Sequence, residues 1–312
     1  MTTQAIHTFG LTRQFDTVRA VDGLTLDVAP GTIFGFLGPN GAGKTTTIRL
    51  LLGLLEPSAG DAQVLGYDVR TAAAEIRTRS GALLEHSGLY ERLSAQDNLE
   101  FFARIWHLPA AGRQERIREL LTHMQLWERR QEPVGRWSHG MKQKLAVART
   151  LLHRPELVFL DEPTAGLDPV AAAALRDDLE SLAEQEGVTV FLTTHNLAEA
   201  ERLCDQIGVI RRGRLVAVGA PQELRTHSST PRVEIAGSGF DADVLSQLRG
   251  RSEVAGVHVD GDRLIIDLKR DVEVAPLVSL VVSAGGAVEG VHKETATLEE
   301  VFLTLMEEQA EA

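Results

Sequence analysis

The chain has 312 residues, of which 44 are acidic and 32 are basic, so its formal net charge is −12. Its hydrophobic content of 43% can bury a sizeable core, and the length leaves room for one large domain and one small one. The acidic balance and the lack of a long basic block argue against nucleic acid as the main partner, because phosphate backbones are bound by clustered Lys and Arg.

The sequence predicts neither a membrane-spanning helix nor a signal peptide. The apolar uncharged stretch 274–288 has 15 residues and includes Pro276 and two adjacent glycines, so it is too short to span a bilayer. The opening residues MTTQAIHT lack the signal-peptide pattern. Cys204 is the single cysteine, which excludes an intrachain disulfide, and its apolar helical neighbours favour a buried free thiol. These features favour exposure to the cytosol.

The first informative segment in chain order is a glycine-rich loop, GPNGAGKT, which begins at Gly38. It fits the pattern G-x-x-x-x-G-K-[ST], in which glycines let the backbone curl and aim N–H groups at phosphate oxygens. A strand-like apolar run, 32–37, precedes the loop, and a helical pattern follows it. We expect Lys44 to reach the β- and γ-phosphates and Thr45 to ligate Mg²⁺. The predicted nucleotide-binding residues here are Gly38, Pro39, Asn40, Gly41, Ala42, Gly43, Lys44, Thr45 and Thr46.

Between about residues 85 and 135 the strand pattern gives way to helices with apolar residues at helical spacing. Leu99, Phe101 and Ile105 mark one such face, and Ile117 and Leu120 mark another. Apolar stripes on helices mostly pack inside a protein, so we expect only a minority of these residues to face a partner.

Two adjacent carboxylates, Asp161 and Glu162, follow an apolar run, 157–160, that predicts a buried parallel strand. The carboxyl end of such a strand is the usual ligand edge of an open α/β sheet. Asp161 is the better candidate for holding Mg²⁺, and Glu162 for polarising a water that attacks the γ-phosphate. His195 follows a second apolar strand and could contact the same phosphate or water. The alternatives are a helix-capping Glu162 and a core histidine at His195.

A second unit is predicted after a polar, proline-containing segment, RTHSSTPR at 225–232, which indicates a linker. Residues 233–312 alternate as β-α-β-β-α-β before a terminal helix, an order typical of ferredoxin-like α+β domains. This part of the chain shows no metal-ligand or nucleophile spacing, so a structural or dimerising appendage is the alternative.

Taken in this order, the segments resemble the ATP-binding subunits of ATP-binding-cassette (ABC) transporters, over about residues 5–224. GPNGAGKT resembles their Walker A loop, and LVFLD resembles the Walker B strand, with Glu162 as catalytic base. AGLD, residues 165–168, resembles the D-loop, and His195 the switch histidine. WSHGMKQ, which begins at Trp137, stands where the family signature, usually LSGGQ, is found. The resemblance implies an α/β P-loop NTPase cassette, 1–224, with a mixed core sheet and an α-helical subdomain at about 85–135.

The signature implies a dimer, because in the family it caps the γ-phosphate that is bound to the partner's Walker A loop. By this resemblance Ser138 and Gly140 contact nucleotide, as does Asp168 of the D-loop, and Lys44, Glu162 and His195 form the catalytic set. A helix N-cap and a turn are the alternatives for Ser138 and Gly140.

Three positions depart from the family pattern. His139 stands where a second glycine is common and brings a Cβ towards the partner's phosphate. Glu85 stands where the Q-loop places glutamine, and it can still ligate magnesium; a solvated surface glutamate is the alternative. Phe15 matches the aromatic residue that stacks on adenine, more often tyrosine in the family, and a core phenylalanine is the alternative.

The resemblance therefore implies an ATPase that uses ATP and Mg²⁺, pairs with a second ATP-binding subunit, and works with a separate transmembrane permease. The location it implies is the cytoplasmic face of the plasma membrane. The ending TLEEVFLTL resembles the bacterial drug and antibiotic exporter branch. The alternatives are a soluble ABC-type ATPase acting on DNA or ribosomes, and a nucleotide-gated regulator without useful turnover.

Overall fold

The computed structural model describes residues 4–227, 232–270, 272–294 and 298–307. The chain divides into two compact units, Met1–Ala220 and Pro221–Ala312. The boundary lies four residues before the end of the predicted cassette at residue 224, because a helix already begins at Pro221. Of the predicted linker, 225–227 are helical, 228–231 lie outside the described residues, and Arg232 begins a strand.

The first unit alternates strands and helices. Its strands are β1 (Ile6–Phe15), β2 (Val18–Val28), β3 (Ile33–Leu37), β4 (Ala59–Val64), β5 (Tyr67–Asp68), β6 (Ser80–Leu83), β7 (Leu157–Asp161), β8 (Thr189–Thr194), β9 (Gln206–Arg211) and β10 (Arg214–Gly219). Its helices are α1 (Lys44–Leu51), α2 (Ala73–Arg79), α3 (Ala95–Ile105), α4 (Ala110–His123), α5 (His139–Thr150), α6 (Pro169–Glu186) and α7 (Leu197–Leu203).

The central sheet of this unit has six strands in the order β10-β9-β3-β8-β7-β6. Its neighbours are parallel from β9 to β6, and β10 returns antiparallel to β9. Every residue of β3, β7 and β8 is buried, as expected for parallel strands covered on both faces. Phe191 of β8 stacks on Phe34 of β3, with ring centroids 5.4 Å apart. The ring centroid of Phe159, on β7, lies 5.7 Å from that of Phe191. This rigid core fixes the carboxyl ends of β3, β7 and β8 relative to one another.

A second sheet, β2-β1-β4-β5, is antiparallel. The segment between residues 85 and 135 forms α3, α4 and short 3₁₀ turns at Trp127–Arg129 and Val134–Arg136, joined by an isolated bridge between Ser94 and Pro133. This is the helical segment that the sequence indicates.

The second unit begins with α8 (Pro221–His227), which packs against the last helix and so belongs with this unit rather than with a linker. The elements that follow are β11 (Arg232–Ser238), α9 (Ala242–Arg249), β12 (Val254–Asp260), β13 (Arg263–Leu268), α10 (Ala275–Ser283), β14 (Ala287–Glu294) and α11 (Leu298–Glu307).

The sheet of the second unit has the order β12-β13-β11-β14 and is antiparallel throughout. Val233, Ile235, Leu264 and Ile266 pack against Val244 of α9 in its core. The element order is the predicted β-α-β-β-α-β, and the ferredoxin-like assignment stays a prediction. Within the described ranges, no helix has both the length and the apolar character needed to cross a bilayer.

Candidate nucleotide site

The glycine-rich loop, 38–43, connects β3 to α1 at the carboxyl edge of the central sheet. α1 begins at Lys44, and its N-cap, Gly43, makes no side-chain bond to the first backbone N–H groups. Its first turn, 44–47, contains no acidic side chain. Backbone donors and the positive end of the helix dipole therefore meet at the loop, which is the arrangement that binds phosphate.

Two positions of the loop have no room for a side chain. A Cβ on Gly43, whose φ is 109°, would lie 2.2 Å from the backbone oxygen of Ala20. A Cβ on Gly38 would lie 2.4 Å from the backbone oxygen of Ile210. Gly41 also has a positive φ, 78°, but a Cβ there would meet nothing within 4 Å. The loop is therefore packed directly on the backbones of β2 and β9, an approach that only glycine allows.

Lys44 is held inside the loop, with 5% of its side chain exposed. Its Nζ donates to the backbone oxygen of Gly38 at 2.8 Å and to that of Pro39 at 3.2 Å. The same Nζ lies 3.1 Å from Glu162 Oε1. A phosphate group in the loop would compete with these oxygens for one ammonium group.

Asp161 contacts both α1 and β8. Its Oδ2 accepts a hydrogen bond from Thr45 Oγ1 at 2.6 Å, and its Oδ1 accepts one from Thr193 Oγ1 at 2.5 Å. The parallel register explains the second bond, because Asp161 lies opposite Thr193 in the pairing of β7 with β8. The structure thus brings the predicted magnesium ligands Thr45 and Asp161 together, and it adds Thr193.

The carboxylate of Glu162 lies between Lys44 and His195. His195 Nδ1 is 3.1 Å from Glu162 Oε2, while Lys44 occupies the other carboxylate oxygen. The backbone of Glu162 has φ 49°, which is uncommon for a residue with a side chain, and its N–H is bonded to Thr193 O and Oγ1. His195 is 55% exposed, so it is not a core histidine. The N-cap of the helix that follows Glu162, α6, is Asp168 and not Glu162.

A cavity of about 180 Å³ lies among these groups. Its lining consists of Ala20, Asn40, Gly41, Gly43, Lys44, Thr45, Thr46 and Glu162, whereas Gly38, Pro39 and Ala42 of the predicted set do not line it. Small-molecule sites usually have volumes of about 300–1,000 Å³. The cavity therefore has the groups to bind phosphates, but it is small for a whole nucleotide.

Larger cavities of the first unit lie away from this loop. One of about 960 Å³ is lined by residues of α4, α6 and the turn before β7, and one of about 430 Å³ by α4 and the turn after α5. Neither is lined by the glycine-rich loop or by the carboxylates that follow β7. The site is therefore indicated by its chemistry and not by its size.

Ser138 and Gly140 lie at the start of α5. Ser138 is the N-cap of this helix, and its Oγ accepts a hydrogen bond from Met141 N at 3.3 Å. A Cβ on Gly140 would lie 3.1 Å from the Cβ of Ala171, so glycine permits close packing of α5 on α6. The N-cap alternative is thus present for Ser138. Neither residue lines the cavity at the glycine-rich loop, and their contact with a nucleotide stays a prediction.

The predicted D-loop, 165–168, contacts the start of α5 within the same chain. His139 Nε2 lies 3.2 Å from the backbone oxygen of Ala165. Asp168 is the N-cap of α6, and its Oδ1 accepts hydrogen bonds from Val170 N at 3.0 Å and from Ala171 N at 2.9 Å. The carboxylate of Asp168 therefore has a structural role here, and its role towards nucleotide stays a prediction.

Phe15 and Glu85 lie outside the cavity. Phe15 ends β1 and is 40% exposed, so it is not a core phenylalanine, and the guanidinium of Arg13 lies 4.5 Å from its ring centroid. Glu85 is 63% exposed and pairs with Arg49 of α1 at 3.3 Å. The structure does not bring Glu85 to Thr45 or Asp161, and it favours the alternative of a surface glutamate.

Comparison with known proteins identifies the family. A family model described as ABC transporter matches residues 21–165. The chain is 39% identical to the daunorubicin resistance ATP-binding protein DrrA3 of Streptomyces coeruleorubidus, over 98% of this chain and 96% of that protein. The chain belongs to the ABC transporter ATP-binding subunits. It is also 42% identical to the bacitracin transport ATP-binding protein BcrA of Bacillus licheniformis, over 68% of each chain.

Solved structures of the family share the fold of this ABC subunit. With cbiO1 from Clostridium perfringens, part of an ABC transporter complex, the TM-score is 0.67 at 26% identity, over 71% of this chain and 90% of that one. With an ATP-binding subunit of an ABC transporter it is 0.64 at 32% identity, over 72% and 92%. The predicted α/β P-loop cassette is confirmed, and this ABC subunit is an ATPase.

The oxygen ligands at the Walker A loop fit Mg²⁺. Thr45 Oγ1 and Asp161 Oδ2, 2.6 Å apart, are hard oxygen donors at the start of α1. Mg²⁺ is usually bound by one or two protein oxygens together with substrate phosphates and water. In keeping with this, the described part of the ABC subunit contains no cluster of three or more His, Cys, Asp or Glu side chains that would hold a metal by itself.

The sequence analysis missed two polar residues of the site. Thr193 bonds Asp161 and Glu162, and Glu199 of α7 accepts hydrogen bonds from Thr164 and Thr194. The signal for Thr193 was present, because paired threonines end the apolar run VTVFLTT directly before His195. Glu199 gives no such signal, because one of its partners, Thr164, lies 35 residues away in the chain and no spacing within α7 records that contact.

Proposed function

We propose that this chain binds ATP with Mg²⁺ in the Walker A loop and hydrolyses it with Glu162 as the general base, as the ATP-binding subunit of an exporter. The position of the Glu162 carboxylate carries this proposal, since its oxygens lie 3.1 Å from Lys44 Nζ and 3.1 Å from His195 Nδ1. A base for phosphoryl transfer must lie beside both the phosphate-binding cation and a group that can orient the attacking water.

The chemistry follows from these contacts. Lys44 turns from the oxygens of Gly38, Pro39 and Glu162 to the β- and γ-phosphates, which releases the carboxylate of Glu162. That carboxylate accepts a proton from water as the water oxygen bonds to the γ-phosphorus and the bond to the bridging oxygen breaks. Thr45 and Asp161 would hold Mg²⁺, which would supply positive charge to offset that of the phosphates. His195 donates a hydrogen bond to the γ-phosphate or orients the water.

Two copies of the chain form the complete sites. The small cavity at the Walker A loop and the position of Ser138 and Gly140 outside its lining support this. In the dimer, Ser138 and Gly140 of each copy cap the γ-phosphate that the other copy binds. Asp168 contacts the nucleotide as well, and Phe15 stacks on its adenine. Loss of the γ-phosphate removes the bridge, so hydrolysis reopens the pair.

The helical segment docks a separate permease. Tyr90 and Phe101 are exposed aromatic residues, and their ring centroids lie 4.8 Å apart. Phe102 lies 5.4 Å from Phe101, and Ile105 extends the same exposed surface. An apolar patch of this kind is typical of a protein or membrane contact. Docking to a permease places this subunit at the cytoplasmic face of the plasma membrane.

The compound that is exported belongs to the drug, antibiotic or lipid-like class. The relatives named for daunorubicin resistance and bacitracin transport support this class, as does the Nod factor export ATP-binding protein I of Ralstonia nicotianae, 38% identical over 95% of this chain. These names favour a transporter over a soluble ATPase of DNA or ribosomes and over a regulator without turnover.

The substitution Glu162→Gln tests the proposal, with Glu184→Gln on the exposed face of α6 as the matched control. We expect hydrolysis to fall by about 10²- to 10⁴-fold, because the amide cannot accept the proton. ATP should still bind, and light scattering should show a dimer that persists with ATP and Mg²⁺. Undiminished hydrolysis by the variant would remove Glu162 from this role, and a wild-type chain that hydrolyses at full rate as a monomer would overturn the shared site.

A further inference from the structure

Glu199 is a fully buried acidic residue whose carboxylate joins two loops. It lies in the first turn of α7 and is 1% exposed. Thr164 Oγ1 lies 2.7 Å from each of its carboxylate oxygens, and Thr194 Oγ1 donates to Oε2 at 2.9 Å. Burial of a carboxylate is costly unless hydrogen bonds satisfy it, and two hydroxyl donors meet that need here.

Each of these threonines stands next to a residue of the proposed reaction. Thr194 directly precedes His195, and its Oγ1 also accepts a hydrogen bond from Asn196 N at 3.0 Å. Thr164 follows Glu162 by two residues, in a turn that is closed by a bond from Ala165 N to Glu162 O at 3.1 Å. Glu199 therefore fixes the two chain segments that carry Glu162 and His195.

A role in capping α7 does not explain this arrangement. Asn196 is the N-cap, and its Oδ1 accepts the N–H of Glu199 at 3.2 Å. In a capping box, the carboxylate three residues into the helix would return to the N-cap N–H. Here the N–H of Asn196 is bonded to Thr194, and the Glu199 carboxylate points to residues outside the helix.

The contact between Glu162 and His195 also requires that the backbone carrying the two side chains be held in place. Both side chains are partly exposed to solvent, and polar contacts at such positions contribute little to stability. A pair this weak does not set its own geometry to within the tolerance of a reaction. The backbone on which each side chain stands must be rigid instead, and the buried hydroxyl–carboxylate–hydroxyl bridge supplies that rigidity.

We propose that Glu199 is a positioning residue for hydrolysis, which holds Glu162 and His195 at their working separation by bridging Thr164 and Thr194. It touches neither nucleotide nor water itself. The inference rests on the proposed function, because it gives Glu199 a role only through the residues assigned there.

The test compares Glu199→Gln with Glu184→Gln, the same change on an exposed surface. We expect Glu199→Gln to lower kcat by about 10- to 100-fold, the loss that a displacement of about 1 Å causes. ATP affinity, measured by titration with a fluorescent analogue, should stay within about twofold, because the Glu199 carboxylate accepts its hydrogen bonds from Thr164 and Thr194 and not from the phosphate-binding groups of the Walker A loop. The control variant should match wild type in both measurements.

A double-mutant cycle separates positioning from a merely structural role. Because Glu199 acts by setting the separation between Glu162 and His195, its effect should largely vanish once His195 is removed: adding Glu199→Gln to a His195→Ala variant should lower kcat by less than about threefold more. An undiminished effect in that background, or a loss of ATP affinity equal to the loss of kcat, would overturn the proposal.

If Glu199→Gln does not fold, Thr164→Val and Thr194→Val carry the test, because each removes one donor to Glu199 and keeps the shape. Thr194→Val also removes the acceptor of Asn196 N, so Thr164→Val is the cleaner of the two. Both should lower kcat at unchanged ATP affinity, and normal kcat in both would refute the bridge. Failure of the proposed function is distinguishable, because it would appear as full hydrolysis by Glu162→Gln whatever the result at Glu199.

Discussion

The Walker A loop offers a sharp comparison between two glycines with positive φ. Gly43 and Gly41 lie two residues apart, with φ 109° and 78°, and both would be strained by a side chain. They differ in the space around them. A Cβ on Gly43 would lie 2.2 Å from Ala20 O, whereas a Cβ on Gly41 would meet nothing within 4 Å.

The expected magnitudes follow from this difference. Carbon and carbonyl oxygen atoms in contact are usually at least about 3.3 Å apart, so Gly43→Ala requires the loop to move by about 1 Å. Such a shift displaces the N–H groups at the start of α1, and losses of about 100-fold are typical of misplacement on this scale. Gly41→Ala incurs only the backbone strain, about 1–3 kcal/mol of folding stability, with ATP affinity within about threefold of wild type.

Titration with a fluorescent ATP analogue, together with thermal unfolding, measures both quantities. The result that refutes the reasoning is a Gly43→Ala protein that binds ATP as well as the Gly41→Ala protein does. Equal and large losses in the two variants would also contradict it, because they would show that strain alone, without the contact to Ala20, decides affinity.

Three further predictions concern buried groups. Thr193→Val removes the hydroxyl that donates to Asp161 Oδ1, so we expect the free energy of unfolding to fall by about 1–3 kcal/mol. We also expect hydrolysis to require a higher Mg²⁺ concentration, and an unchanged dependence of hydrolysis on Mg²⁺ would contradict this. Burial lowers the pKa of His153, so below about pH 6.5 the unfolded chain binds a proton that the folded chain does not. The free energy of unfolding should therefore fall as the pH drops below about 6.5, which urea unfolding at several pH values will show. In His153→Phe the decline should be smaller. Burial, reinforced by the charges of Glu199 and Asp205, raises the pKa of the Cys204 thiol. A thiol reagent at pH 8 should therefore label Cys204 only after unfolding, and rapid labelling of the folded protein would contradict this prediction.

The residues of the nucleotide loop could be predicted because the signal is local. In GPNGAGKT the spacing of glycines, lysine and threonine reflects backbone conformation within eight consecutive residues. The structure agrees, with Lys44 at the start of α1 and Gly43 packed on Ala20. Asp161 and Glu162 were predictable for a similar reason, because a short apolar strand followed by acids marks the carboxyl edge of a parallel sheet.

Elsewhere local pattern was insufficient. Glu85 was matched to the Q-loop glutamine by its position in the chain alone. In the structure its side chain pairs with Arg49, a contact that the spacing of residues does not reveal. The structure also differs at the predicted start of the linker, residue 225, because a polar segment resembles a linker until its packing is known. α8 extends to residue 227 and packs with α11, so these residues belong to the second unit.

The order of motifs in the sequence by itself determined that this protein is an ABC ATPase and predicted which side chains meet its phosphates, because each motif encodes its own backbone shape. Only the tertiary structure decided what supports those side chains. Thr193 reaches Asp161 through the register of two parallel strands, and Glu199 joins Thr164 to Thr194 although 35 residues separate it from Thr164. Such contacts depend on the packing of segments distant in the chain, and no periodicity within either segment records its partner.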